Sequence, residues 1–164
     1  MPERAADFRL DRVNSKRLGR PEMAVTRSKS PRPATYEDAN LLLRLYELRR
    51  DDRMRSARAW FTRSFRAATL EEFDKLCPAG SEENASYRMV VSYWEMAASF
   101  VTREILHQDL FMQNSSELGL VWDRVRHIAP ALREKFHNQN LLTNIEKVAA
   151  AMDEYRLPES AFGV

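Results

Sequence analysis

The apolar residues of this chain fall into helical registers, interrupted by turn and capping signals, from residue 35 to residue 157. Thr35-Tyr36-Glu37-Asp38 has the form of a capping box with Asp in place of the usual Glu, and it opens a run that carries Ala39, Leu42, Leu43 and Tyr46. Met54, Ala57, Trp60, Phe61 and Phe65 continue it. No Gly or Pro interrupts residues 34–77, so the spacing predicts one long helix, or two with a bend near Arg50-Asp51-Asp52-Arg53. Asp51 and Arg55 stand in the favoured i, i+4 order for an ion pair. Thr69-Leu70-Glu71-Glu72 starts a short helix that must end near Leu76, because Pro78 disfavours helical geometry at Cys77.

Ser81, followed by Glu82 and Glu83, caps the next helix. Residues 82–106 are apolar on most sides, which predicts the central helix of a bundle, covered by neighbours in most directions. Its polar residues form a narrow stripe: Arg88, Ser92, Glu95, Ser99 and Thr102. Asp109 can cap a short helix carrying Leu110, Phe111 and Met112, and Asn114-Ser115-Ser116 reads as a break. Leu118, Val121, Trp122, Val125 and Ala129 form another stripe, which runs on to Leu132 and Phe136. Pro130 either kinks that helix or opens a second one at its first turn. Asn140 is the expected cap of the last helix, with Leu141, Ile145, Val148, Met152 and Tyr155 as its stripe and Pro158 as its stop. With no sustained strand alternation, the fold class expected is all-α: a bundle of about five to seven helices over residues 35–157, with residues 158–164 as a C-terminal tail.

Composition changes the picture at the N-terminus. Residues 1–33 hold nine Lys or Arg against four acids, with sparse apolar residues and a turn-rich end at Ser28-Lys29-Ser30-Pro31-Arg32-Pro33. Such a segment buries too little surface to offset its conformational entropy, so residues 1–34 are expected to be a disordered basic tail and linker. An arm for nucleic acid is the functional alternative to a solvated tail, and a translation start at Met23 would leave only a short one. The acids Glu3, Asp7, Asp11 and Glu22 argue against a transit peptide. No apolar run has the length of a membrane span. One cysteine, Cys77, excludes an intramolecular disulfide and suits a reducing, cytoplasmic compartment.

Chemistry-bearing motifs are missing. His107, His127 and His137 lack the spacing of metal ligands, there is no HExxH or CxxC, and four glycines form no phosphate-cradling loop. No metal or cofactor is expected. The polar stripe supplies the one candidate site: Arg88, Ser92 and Glu95 would line a polar pocket if neighbouring helices cover that face. Otherwise they form a solvated strip or structural ion pairs. Trp60, Trp94 and Trp122 lie on core stripes and read as packing.

Val91-Ser92-Tyr93-Trp94-Glu95-Met96, then Phe100-Val101 and Leu106-His107-Gln108-Asp109-Leu110-Phe111, then Trp122, Pro130 and Leu132-Arg133, resemble a bacterial family of small helical domains of unknown function. The resemblance covers roughly residues 36–150. It implies an all-α fold and a bacterial source, and Gly in the turn before the short helix, where this chain has Thr102-Arg103-Glu104. It brings no catalytic residue with it. The function expected is a non-enzymatic interaction or structural protein with a protein partner or a second copy of itself. The alternatives are a nucleic-acid-associated protein using the tail, and a small-ligand binder or enzyme at the central helix.

Overall fold

The computed structural model describes residues 32–156, all of it helix and connection. Of the expected N-terminal tail and linker at residues 1–34, residues 1–31 lie outside the described residues, as do residues 157–164 with Pro158. Eight helices are present among them, one more than the upper end of the expected range: α1 (Tyr36–Leu48), α2 (Asp52–Ser64), α3 (Leu70–Leu76), α4 (Glu82–Thr102), α5 (Gln108–Asn114), α6 (Glu117–Val125), α7 (Ala129–Lys135) and α8 (Thr143–Arg156).

The higher count comes from two breaks. The first run divides at residues 49–51, because the Asp51 side chain accepts from the amides of Arg53 and Met54 and so starts α2 afresh. The expected Asp51–Arg55 pair is absent; Arg55 pairs with Asp52 instead, at 3.4 Å. The later run divides before Ala129, with Pro130 in the first turn of α7, where its missing N–H costs nothing. Thr35, Thr69 and Ser81 cap α1, α3 and α4 as expected.

Helix α4 is the centre of the domain. Tyr87, Val90, Val91, Trp94, Ala97, Ala98 and Val101 are buried along it, and it packs most extensively on α2 and α8. It ends at Thr102, four residues short of the expected boundary. The reason lies at Glu104, whose φ of 58° is left-handed and cannot continue a helix. This is the turn where the family resemblance implies Gly, the residue that adopts this conformation without penalty.

The start of the domain is fastened to the start of α5 by one carboxylate. Asp38 is 1% exposed and accepts five hydrogen bonds. Two come from the Arg32 guanidinium at 2.6 Å, two from the amide and hydroxyl of Thr35, and one from the His107 amide at 2.8 Å. His107 replaces Asp109 as the cap of α5: its Nδ1 accepts from the Leu110 amide, so its proton sits on Nε2, which donates to the Arg32 carbonyl. Arg32, which composition groups with the tail, is thus built into the domain.

The Arg32 guanidinium holds the Asp38 carboxyl far below the usual carboxylate range, against the opposing effect of burial. A depressed folded-state value adds stability that is fully present above about pH 5, begins to fall as the pH drops through the ordinary value of about 4, and goes on falling down through the depressed one. Asp38→Asn should cost about 2–3 kcal/mol at neutral pH and lose less than the parent between pH 5 and pH 3. Urea midpoints across that range check both. Glu104→Gly should raise stability by about 0.5–1 kcal/mol, while Glu104→Ala, which keeps the Cβ, should not.

Candidate functional site

The polar stripe of α4 forms one wall of a groove of about 1090 Å³ between α4, α3 and the α7–α8 connection. Arg88, Ser92, Glu95 and Ser99 all line it. Its floor is apolar, with Val91, Leu132 and Leu142 buried, and its rim carries Met96 and Phe136 at 39% and 58% exposure. Thr102, the last residue of the stripe, lies outside it and donates to the Asn144 side-chain oxygen at 2.6 Å.

The three expected site residues have three different environments. Glu95 is spent on the fold. Its Oε1 accepts from the Asn144 amide at 3.1 Å and side-chain nitrogen at 2.7 Å, and its Oε2 accepts from the Ile145 amide at 3.0 Å. These amides belong to the first turn of α8, so a carboxylate from α4 does the work of an N-cap and also meets the positive end of the α8 dipole. This corrects the expectation that Asn140 caps α8. The residue directly before α8 is Leu142, left-handed at φ 63° and without a polar atom in its side chain. Ser92 is exposed, and its hydroxyl donates to the Met89 carbonyl at 3.4 Å. Arg88 is exposed and makes no hydrogen bond or ion pair to a described residue. No acid occupies i±3 or i±4 from it; those positions hold Asn84, Ala85, Val91 and Ser92.

A second polar cluster was not anticipated from sequence. Glu117, at the start of α6, accepts from Nε and Nη2 of Arg58 on α2, and from Nη2 of Arg49 at 2.6 Å. Burial pushes the Glu117 carboxyl up, but the Arg58 and then the Arg49 guanidinium outweigh it and hold it below its ordinary value. Arg49 stacks over Trp94 at 5.0 Å, and Tyr93 donates to the Leu45 carbonyl at 2.8 Å. Burial pushes the Tyr93 hydroxyl up to about 12. The partners are 59 and 68 residues apart in the chain, too far for any spacing rule to pair them.

Burial pushes the buried Cys77 thiol up to about 11, which keeps it a thiol at neutral pH. Both ring nitrogens of His107 are engaged by backbone groups. No group of three metal-ligating side chains occurs among the described residues, and no helix there is long and apolar enough to cross a membrane.

A family model described as a domain of unknown function, DUF4760, matches residues 34–152. The chain belongs to the DUF4760 family. The match begins one residue before the α1 cap and ends within α8, so it takes in Asp38, the groove and the Glu117 cluster but not Arg32. No curated protein and no solved structure matches this DUF4760 domain.

The contrast within the stripe is open to a direct test. Glu95→Ala should destabilise the domain by about 1–2 kcal/mol and speed hydrogen exchange at the amides of Asn144 and Ile145. Glu95→Gln, which keeps one acceptor, should cost less. Arg88→Ala should stay within about 0.5 kcal/mol of the parent.

Proposed function

We propose that this DUF4760 domain is a non-enzymatic interaction module whose groove along α4 receives one amphipathic helix of a protein partner. The observation that carries the reading is the combination of an apolar groove and an uncompensated cation at its wall. Along α4 the groove runs from Asn84 to Ser99, or about 22 Å at 1.5 Å per residue, the length of a helix of some fifteen residues. Its rim side chains Met96 and Phe136 are exposed, which leaves the groove open to solvent between its walls, whereas small-molecule sites enclose most of the ligand surface. Met89 and Met96 line the groove, and their side chains adapt readily to a helix laid against them. Charge selects the partner. Glu95 is saturated by α8, so the groove offers Arg88 alone and favours a helix with an Asp or Glu beside its apolar face. A cytoplasmic setting fits the single unpaired thiol, and a bacterial source fits the sequence resemblance.

Selection from a displayed library of helical peptides against the full chain tests the reading. Enriched sequences should repeat apolar residues at i, i+3 or i+4, and i+7, with an acidic residue at a fixed offset. Ser92→Trp, which fills the middle of the groove from an exposed position, should weaken their binding at least about tenfold. Arg88→Glu should invert the preferred charge. A library that enriches nothing, or binders indifferent to Ser92→Trp, would overturn the proposal. So would a concentration-dependent dimer abolished by Ser92→Trp, since the occupant would then be a second copy of this chain.

A further inference from the structure

We propose that the pocket between the C-terminal half of α1 and the end of α5 binds a small monocarboxylic acid. It shares no lining residue with the groove along α4 and stands independently of the interaction reading. The pocket has a volume of about 130 Å³, with Leu42, Leu45 and Phe111 as apolar walls and Arg49 and Ser115 as polar ones. A dry apolar cavity of roughly this size, about 150 Å³, admits benzene. The carbon body of the ligand is therefore on the order of six non-hydrogen atoms.

The polar demand at this place is specific. Three buried side-chain polar atoms among the described residues lack a hydrogen-bond partner: Arg49 Nε, Trp94 Nε1 and Asp109 Oδ1. Folded proteins satisfy nearly all such atoms. Arg49 Nε and Trp94 Nε1, on residues stacked against each other, are both closed off behind the pocket wall, which leaves Nη1 as the unpaired Arg49 donor open to a ligand. Arg49 adds a surplus charge. Glu117 takes two hydrogen bonds from Arg58 and only one from Arg49, so two guanidinium groups share one carboxylate and the cluster keeps one net positive charge. Of the Arg49 donors only Nη2 is engaged by a described residue, while the stacking on Trp94 and on Tyr46, at 6.0 Å, fixes the plane of the fork. A planar carboxylate matches that fork and that charge. A polyanion does not, because one net charge and apolar walls would leave most of it uncompensated and desolvated.

The test is a nuclear magnetic resonance titration of the full chain with benzoate, set against benzamide, its neutral isostere, at constant ionic strength. The side-chain N–H signals of Arg49 report from the pocket wall, and that of Trp94 from the ring stacked behind it. Benzoate should shift both saturably, with a Kd of about 1 mM or tighter. Benzamide should bind at least about tenfold more weakly, since it lacks the charge that the fork recognises. Arg49→Lys keeps a cation for Glu117 but removes the fork, and should lose about tenfold in benzoate affinity. The comparison of the two ligands on the unaltered chain needs no variant to fold. Equal binding of benzoate and benzamide, shifts without saturation, or shifts confined to the α4 groove would overturn the assignment.

Discussion

A 21-residue helix that is apolar on most sides can exist in water only if other segments cover it, and that requirement organises the domain. Val90, Trp94, Ala97 and Ala98 are at most 1% exposed, so α4 has no face there to give to solvent. Helices α2 and α8 provide the largest share of the cover, with α6 beside them. The same helix also supplies the polar group that fixes its cover in place, because Glu95 caps α8 from across the interface. Packing and capping thus come from one pair of elements. Loss of the cap would loosen the helix that shields the core as well as fraying its end.

What could be read along the chain was what neighbours in the chain decide. The caps at Thr35, Thr69 and Ser81 lie three residues or fewer from the amides they serve, and the start of α3 and its end at Leu76 follow from Thr69 and Pro78. Local rules failed where a distant partner decided the outcome. Asn140 has the right chemistry to cap α8 and the right position in the sequence, but Glu95 arrives from 49 residues away with two oxygens instead of one. Asp109 yields to His107, whose ring is held between the Leu110 amide and the Arg32 carbonyl, 75 residues earlier. Asp51 turns one oxygen to two amides of its own helix, and Arg55 pairs with Asp52 one residue on. The turn at Glu104 is a different case. Its left-handed backbone was foreshadowed by the glycine that the family resemblance implies, although the residue present gives no such sign.

The candidate site was legible as a place but not as a set of roles. Steps of three and four along α4 put Arg88, Ser92, Glu95 and Ser99 on one wall, and all four line one groove. Whether each was a ligand group, a solvated charge or half of an ion pair depended on what α8 brought opposite, which periodicity does not encode. The Glu117 cluster left a weaker trace. The charged stretch around residues 49–58 was visible, but an exposed charged run and a buried network have the same composition until α6 delivers its carboxylate.

The disposition of charge limits what the two concave surfaces can recognise. Three carboxylates that lie within the fold, Asp38, Glu95 and Glu117, accept hydrogen bonds on both oxygens from backbone amides, from an asparagine side chain, from a hydroxyl or from guanidinium groups. A carboxylate so occupied is a poor general base and a poor metal ligand, because either role would first have to break contacts that hold helices together. The cations are treated differently. Arg88 at the groove and Arg49 at the small pocket both keep N–H groups that no described residue accepts, and each stands beside apolar side chains. A domain that saturates its acids internally and leaves guanidinium groups open beside apolar concavities is suited to recognising carboxylates attached to apolar bodies. On the readings proposed above, that body is a helix at the groove and a single ring at the pocket.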